Sequence, residues 1–434
     1  MANEKEYIRR LIDDELDFYL KSVGGIWIVG PKWCGKSRTA KRHAKTVIDL
    51  LNKKTKDQYA ELAKKAPEVL LNSGEKPILI DEWQTIYYIW NSIKEAIDEN
   101  GGFGQYILTG SVTDNTIDKS ANENQEERHT GTGRIIKKLM RPMSLFESGD
   151  SNGQISIADL KNKNTISSIS NKTIYDYSFL ICRGGWPLAI NEEEKVALQQ
   201  AKTFFNGLVT EDIFSLRDIV LRKDETRARK LMRSYSRNIA TEASNEAIKA
   251  DLKDNGDDID KDTFIKYLQA LNRLYVVEEL EAWNPNLRSK TAIREKNTRH
   301  FIDPSIATSS LGITPKNMFC DMKTFGFLFE SLAIRDLRIY CDYLNAKLYH
   351  YRDKAEREAD AVIQFEDGSW ALIEVKLGDE EEIKESSNKL VNLSNDIDNK
   401  EHPKPSFLMV ITGEKFAYRD DNGVFIVPLS CLRP

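Results

Sequence analysis

The chain has 434 residues, 40% of them hydrophobic and 30% charged, and its formal net charge of −5 gives no overall footprint for nucleic acid. The ordinary apolar fraction excludes wholesale disorder, and no stretch reaches the ~20 apolar residues that span a bilayer. At ~100–200 residues per domain, the length predicts two to four domains. Five widely spaced cysteines, and no apolar secretory segment after Met1, predict a cytoplasmic protein rather than a disulfide scaffold.

Residues 1–150 alternate between short apolar runs and segments of helical spacing. Apolar runs occupy 26–29, 78–80 and 106–108, and each is followed by glycine or polar residues. This alternation predicts a parallel sheet covered by helices.

The remainder of the chain changes character twice. Residues 149–175 are rich in Ser, Asn and Gly and predict a loop-rich segment, whereas 192–282 are mainly helical with a β-ribbon after them. That order predicts a winged-helix-like module. A helix over 326–344, a strand-rich region and a polar helix over 380–397 then predict a mixed α/β domain.

The strongest motif is a complete GxxxxGK[ST] between the first apolar run and a helix. Backbone N–H groups of such a loop wrap a β-phosphate, Lys36 reaches the β- and γ-phosphates, and the Ser37 hydroxyl ligates Mg²⁺. The eight predicted nucleotide-binding residues are Gly30, Pro31, Lys32, Trp33, Cys34, Gly35, Lys36 and Ser37.

The second apolar run ends in two adjacent carboxylates, as in a Walker B strand. Asp81 is predicted to hold Mg²⁺ and Glu82 to polarise the attacking water, which indicates hydrolysis rather than binding alone. Thr109 and Ser111 end the next strand, where a polar side chain can sense the γ-phosphate; a plain strand-end turn is the alternative.

Two basic regions are candidates for contacts with phosphate. Arg134, in a glycine-rich segment, and Arg141 are candidate arginine fingers, acting in cis or from a neighbouring subunit. Residues 217–237 carry eight bases against three acids and predict a DNA contact, with a solvated helical face as the alternative.

A second catalytic constellation lies in the last third. Glu374 and Lys376 share one face of a strand, and Asp360 begins the preceding strand of a hairpin. The two carboxylates are predicted to hold Mg²⁺, Lys376 to activate water for phosphodiester attack, and Glu330 to add a ligand. This is the PD-(D/E)XK nuclease layout, although Ala359 replaces the usual proline; a charged strand end with a salt bridge is the alternative.

The chain resembles, nearly end to end, a family of prokaryotic AAA-type ATPases whose C-terminal domain is of unknown function. The resemblance implies an N-terminal P-loop domain, a winged-helix-like middle region, a nuclease-like C-terminal domain and ATP as the nucleotide. It rests on segments 7–13, 30–37, 80–84, 108–111, 129–134, 141–148, 184–187, 301–304 and 374–376.

We therefore predict an α/β multidomain protein with a P-loop ATPase domain (1–190), a helical winged-helix-like domain (191–318) and a nuclease-like domain (319–434). The predicted function is a Mg²⁺-dependent ATPase that couples nucleotide state to a domain binding or cleaving DNA. The alternative is a nucleotide-gated interaction or regulatory module with a catalytically silent nuclease-like domain. A trans arginine would require a homo-oligomer, and no membrane partner is expected.

Overall fold

The computed structural model describes residues 6–86, 88–110, 133–163, 165–216, 219, 221–284, 296–397 and 403–434. The chain divides into two compact units: the first comprises Met1–Pro142, Ser215–Val220 and Gln269–Tyr275, and the second comprises the remaining residues. The division into 1–190, 191–318 and 319–434 stays a prediction. Among the described residues, no helix is both long and apolar enough to cross a membrane.

The first unit contains a five-stranded parallel sheet of order β2-β3-β4-β1-β5, so the predicted parallel sheet is confirmed. Strand β4 lies between β1 and β3, although it follows both in the chain. The elements are α1 (Ile12–Tyr19), β1 (Gly25–Val29), α2 (Lys36–His43), β2 (Thr46–Asp49), α3 (Lys56–Lys65), α4 (Pro67–Leu71), β3 (Ile78–Asp81), α5 (Ile89–Asn100), β4 (Tyr106–Gly110) and β5 (Ile135–Leu139).

Both faces of this sheet are buried, which explains its continuous apolar runs. Alternate residues of β1 enter different cores: Trp27 and Val29 belong to one apolar cluster, and Ile26 and Ile28 to the other. Trp27 also meets two further indoles, and its ring centroid lies 5.4 Å from that of Trp83. The strand ends at the P-loop are therefore anchored from both sides.

The helical part of the second unit precedes its main sheet. Two isolated antiparallel bridges, Val277 to Phe301 and Leu280 to Thr298, follow the last of three successive helices. This is the place where the sequence predicts a winged helix. The helices between residues 157 and 311 are α6 (Ile157–Leu160), α7 (Ile174–Arg183), α8 (Glu194–Thr210), α9 (Glu225–Arg237), α10 (Asn245–Asp254), α11 (Lys261–Arg273) and α12 (Ser305–Leu311).

The second unit also contains a seven-stranded mixed sheet of order β7-β12-β13-β11-β10-β9-β8, in which β7 is Ser168–Ile169. Strand β10 pairs antiparallel with β9 and parallel with β11. Its elements are α13 (Met322–Tyr343), β8 (Lys347–Arg352), β9 (Glu358–Gln364), β10 (Trp370–Lys376), α14 (Glu380–Asp396), β11 (Phe407–Thr412), β12 (Phe416–Arg419) and β13 (Phe425–Pro428).

The segment predicted to be loop-rich, 149–175, contributes strands to the second unit. Strand β6 (Ile155–Ser156) pairs with β14 (Leu432–Arg433) at the end of the chain, and β7 (Ser168–Ile169) pairs with β12. Two-residue strands carry no periodicity in the sequence, because their partners lie far along the chain.

A buried ion cluster joins helix α13 to three other segments of the second unit. The Arg335 guanidinium lies 2.9 Å from Asp303 Oδ2 and 2.7 Å from Asp336 Oδ1, and all three side chains are buried. The backbone N–H groups of Gly185 and Leu145 donate to Asp303 and Asp336, each over 2.9 Å. The cluster therefore fixes the segments around 145, 185 and 303, which belong to motifs that the nucleotide chemistry leaves unexplained.

Candidate functional site

The P-loop runs from the end of β1 to the start of α2, and close packing explains its first glycine. Gly30 has φ of +147°, and a Cβ built there would lie 2.2 Å from the carbonyl oxygen of Met140. Gly35, immediately before α2, has φ of +104°. Both backbone conformations are unfavourable for residues with a Cβ.

The P-loop lysine is held inside its own loop. Lys36 Nζ donates to the carbonyl oxygens of Gly30 and Pro31, over 3.0 and 2.7 Å, and the residue is buried. Lys32 and Trp33, by contrast, are exposed at the turn, and Trp33 has a left-handed φ of +67°. The loop's own carbonyl oxygens therefore hold the Lys36 ammonium group in place.

Sequence reasoning missed Arg10 as a support of this loop. Its guanidinium donates to the carbonyl oxygen of Cys34, over 3.0 Å, and to that of Arg141, over 2.8 Å. Arg10 and Cys34 are both buried. Arg10 thus links the P-loop turn to the segment after β5. The only signal for this role in the sequence was the place of Arg10 in segment 7–13.

Polar groups from β3, β4 and α2 meet at the carboxyl edge of the sheet. Ser37 Oγ donates to Asp81 Oδ1 over 2.7 Å, and Thr109 Oγ1 donates to the same oxygen. Thr109 Oγ1 also accepts the backbone N–H of Glu82 over 3.2 Å. Because β4 lies between β1 and β3, the Thr109 hydroxyl can contact both acidic residues.

Glu82 has an unusual backbone conformation and a fixed carboxylate. Its φ is +58°, in the left-handed region, and its Oε2 accepts Nε2 of Gln84 over 2.5 Å. Burial raises the pKa of Glu82, while the nearby Lys36 ammonium and the Gln84 hydrogen bond lower it. A strained residue at such an edge is typical of a functional site.

The structure separates the two candidate arginine fingers. Strands β5 and β1 are parallel, with Ile135 opposite Gly25, so Arg134 lies at the amino edge of the sheet, about 15 Å of strand away from the P-loop edge. Arg134 Nε donates to Asp98 over 2.6 Å. Arg134 precedes the first residue of β5, at the edge of the sheet opposite to the P-loop, which argues against a contact with the nucleotide in cis; a trans role stays a prediction.

Arg141 follows β5 at the same edge as the P-loop. The preceding residue, Met140, contacts Gly30 as described, and the Arg141 carbonyl accepts Arg10. Arg141 thus stays a candidate finger by position. Ser111, the other candidate γ-phosphate sensor, lies outside the described residues.

In the second unit, the hairpin of β9 and β10 brings together the residues of the second constellation. Ile373 pairs with Ala361, so Glu374 stands opposite Asp360. Lys376 Nζ lies 3.2 Å from Glu374 Oε2 and 3.8 Å from Asp360 Oδ2. The Asp360 carboxylate also accepts the backbone N–H of Val375, over 2.8 Å.

A second lysine, which sequence reasoning missed, completes this cluster. Lys389 of α14 lies 2.9 Å from Glu374 Oε1 and 3.5 Å from Glu358 Oε1. Glu374 is completely buried, and burial together with Asp360 raises its pKa to about 7. An ammonium group therefore contacts each oxygen of a buried carboxylate.

These contacts argue against the predicted three-carboxylate metal site. Across the described residues, no group of three or more His, Cys, Asp or Glu is arranged to hold a metal ion. Burial, with repulsion from Asp360 and Glu374, raises the pKa of Glu330 well above its ordinary range. The predicted ligand set of Glu330, Asp360 and Glu374 is thus not formed, because lysines contact both Glu374 oxygens.

Several basic side chains of the stretch 217–237 make ion pairs or hydrogen bonds with neighbouring residues of the second unit. Arg227 and Arg237 of α9 each lie 3.2 Å from an aspartate, Asp257 and Asp251 respectively. Lys223 pairs with a glutamate, Arg229 with an asparagine and Lys230 with a backbone carbonyl. Arg222 and Arg233 are exposed, and Arg217 lies outside the described residues, so a DNA contact of this stretch stays a prediction.

Three family profiles match separate parts of the chain, and none covers half of it. An AAA domain matches residues 24–148, a domain of unknown function (DUF8612) matches 174–317, and another (DUF4143) matches 325–432. Residues 24–148 thus form an AAA-like P-loop domain of the ATPase class.

A solved structure is similar at low identity. It is the Walker-type ATPase of Pyrococcus abyssi, with 16% identity and a TM-score of 0.41, over 72% of this chain and 97% of that chain. No curated protein matches the chain significantly.

Proposed function

We propose that the first unit binds ATP together with Mg²⁺ and hydrolyses it. The observation that carries this proposal is the convergence of Lys36, Ser37, Asp81 and Glu82 at one edge of the parallel sheet. Hydrogen bonds link Ser37 and the Glu82 backbone to Asp81 through its carboxylate and Thr109, and the Lys36 charge lowers the pKa of Glu82. In parallel α/β sheets, ligands bind beyond the carboxyl ends of the strands.

The donor set fits the nucleotide and its cation. Ser37 and Asp81 present adjacent hydroxyl and carboxylate oxygens, the ligand type that Mg²⁺ prefers. When bound, Mg²⁺ supplies charge neutralisation of the phosphate oxygens. The Lys36 ammonium, which now bonds two neutral carbonyls, would gain a stronger charge-assisted partner in a phosphate oxygen.

Glu82 is the group best suited to orient the attacking water. Its backbone is fixed by Thr109 and its carboxylate by Gln84, so one carboxylate oxygen is directed while the other can accept a water proton. The Thr109 hydroxyl bonds both the Asp81 carboxylate and the backbone N–H of Glu82, so one hydroxyl helps to position the cation ligand and the backbone of the water-orienting residue.

Equilibrium ATP binding and steady-state hydrolysis test the proposal on the full chain. Lys36→Ala should weaken ATP binding, and Glu82→Gln should bind ATP like the wild type while hydrolysing it at least about 100-fold more slowly. The exposed Lys45→Ala, which removes only a surface ion pair with Glu75, is the matched control. A wild type that neither binds nor hydrolyses ATP, or a fully active Lys36→Ala variant, would contradict the proposal.

For the second unit we propose binding of nucleic-acid phosphates, with strand cleavage as the further possibility that the sequence predicts. The supporting observation is the pair of lysines, Lys376 and Lys389, whose ammonium groups flank the buried Glu374 while their side chains stay about one-third exposed. Lysine ammonium groups are common phosphate ligands. A nucleotide-gated interaction module without DNA is the alternative.

DNA binding and cleavage, each measured with and without ATP and with Mg²⁺ or Mn²⁺, separate these functions. Binding that Lys376→Ala and Lys389→Ala weaken supports the phosphate site. Cleavage that Glu374→Ala abolishes would add a nuclease activity, and its loss in Lys36→Ala would show control by ATP. If the protein neither binds nor cleaves DNA, that result would favour the interaction module.

A further inference from the structure

Gln84 makes the closest side-chain contact with the Glu82 carboxylate. It belongs to the single 3-10 turn Trp83–Ile86 that follows β3. Its Nε2 donates a hydrogen bond to Glu82 Oε2, so an amide donor faces one oxygen of the carboxylate.

The Gln84 amide is confined on its other side. Its Oε1 is buried and has no hydrogen-bond partner among the described residues. A Cβ on Gly110, at the end of β4, would lie 2.6 Å from this oxygen, so the amide fills the space that a side chain would take. The preceding Trp83 is completely buried and packs against Trp27 and Trp90.

This confinement fixes which end of the amide faces Glu82. Rotation by half a turn would place Oε1, an acceptor, against the acceptor oxygens of an ionised carboxylate. Burying an amide oxygen without a hydrogen-bond partner costs free energy. Here Oε1 is buried because the amide is oriented with Nε2 toward Glu82. Among the described residues, the turn thus leaves Oε1 without a hydrogen bond while it directs Nε2 to Glu82.

We propose that Gln84 is a positioning residue for ATP hydrolysis, which holds the Glu82 carboxylate in the orientation that directs the attacking water. The proposal rests on the ATPase function proposed above and extends it to a residue outside the P-loop and the acidic pair. Gln84 contacts neither Lys36 nor Ser37 in the described hydrogen bonds, so it should influence turnover rather than ATP affinity.

The test compares Gln84→Met with the wild type, since methionine keeps the length and approximate volume but lacks the donor. We expect kcat to fall about 10- to 100-fold, as for a displaced catalytic group, with ATP affinity within about 2-fold of the wild type. Gln84→Glu, which matches the shape and replaces the donor by an acceptor, should lower kcat at least as much. Gln199→Met, at an exposed glutamine of α8, is the control for the substitution itself.

A double-variant cycle with Glu82→Gln shows whether Gln84 acts through Glu82. If it does, adding Gln84→Met to Glu82→Gln should cause little further loss of kcat. A purely space-filling role predicts wild-type kcat in Gln84→Met, and a braking role predicts a higher kcat; either result overturns the proposal, as does a multiplicative loss in the double variant. Failure of the ATPase proposal would be seen separately, as a wild type without hydrolysis or a Glu82→Gln variant with full activity.

Discussion

Replacing Gly30 by alanine should destabilise the protein even without nucleotide. The motif alone explains this glycine by the close approach of a phosphate. In the structure, the added Cβ would lie 2.2 Å from the carbonyl oxygen of Met140, and the backbone at this position has a φ of +147°. The obstacle is a backbone atom, so no side-chain rotation can relieve it.

The expected cost follows from these two terms. A residue with a Cβ in such a backbone region costs about 1–3 kcal/mol, and forcing an extra methyl group into a packed site costs about 1–3 kcal/mol. The sum, about 2–6 kcal/mol, is a large part of the ~5–15 kcal/mol that stabilises a typical domain. Movement of Met140 would also disturb Arg141, the next residue.

Thermal and urea unfolding without nucleotide, followed by ATP binding, measure this effect. The matched control is Gly207→Ala in the last turn of α8, where the added Cβ would meet no atom within 4 Å. That change should stabilise the helix by at most about 0.5–1 kcal/mol, the value for the middle of a helix. The same substitution is thus expected to act with opposite signs at the two sites.

The reasoning would be refuted if Gly30→Ala unfolded like the wild type and lost only ATP binding. That result would mean that the phosphate, and not Met140, requires the glycine. Destabilisation by Gly207→Ala equal to that of Gly30→Ala would likewise show that the contacts given by the structure do not govern the outcome.

Two further predictions concern the second unit. Arg335→Met leaves Asp303 and Asp336 buried without their counter-ion and should cost about 3–5 kcal/mol of unfolding free energy. The control, Arg357→Met at a partly exposed ion-paired arginine, should cost less than about 1 kcal/mol. Equal costs of the two substitutions in urea unfolding would contradict this prediction. Burial lowers the pKa of His350 to about 4, so the unfolded chain binds more protons at this residue below pH ~6.5. The contribution of His350 to the unfolding free energy should therefore fall by about 3 kcal/mol as the pH drops from there to 4, in addition to the contributions of other buried groups such as His300, whose pKa burial also lowers. His350→Asn should flatten this pH dependence, and an unchanged slope would refute its assignment.

The sequence alone predicted the parts of the site that lie in contiguous residues. The P-loop spacing, the acidic end of β3 and the parallel sheet of the first unit all follow from local patterns, because an apolar run, a glycine turn and a helix start occupy neighbouring positions. The opposition of Asp360 and Glu374 was also expected, since a hairpin fixes register through its turn.

Tertiary structure decided which distant groups reach these residues. Arg10 supports the P-loop, Lys389 contacts Glu374, and Arg134 lies at the edge opposite to the nucleotide site; none of these follows from spacing. The pairing of β6 with β14 joins segments from distant parts of the chain. Sequence patterns record the periodicity of one element against solvent and core, whereas these contacts depend on strand order and direction, which only the packed chain defines.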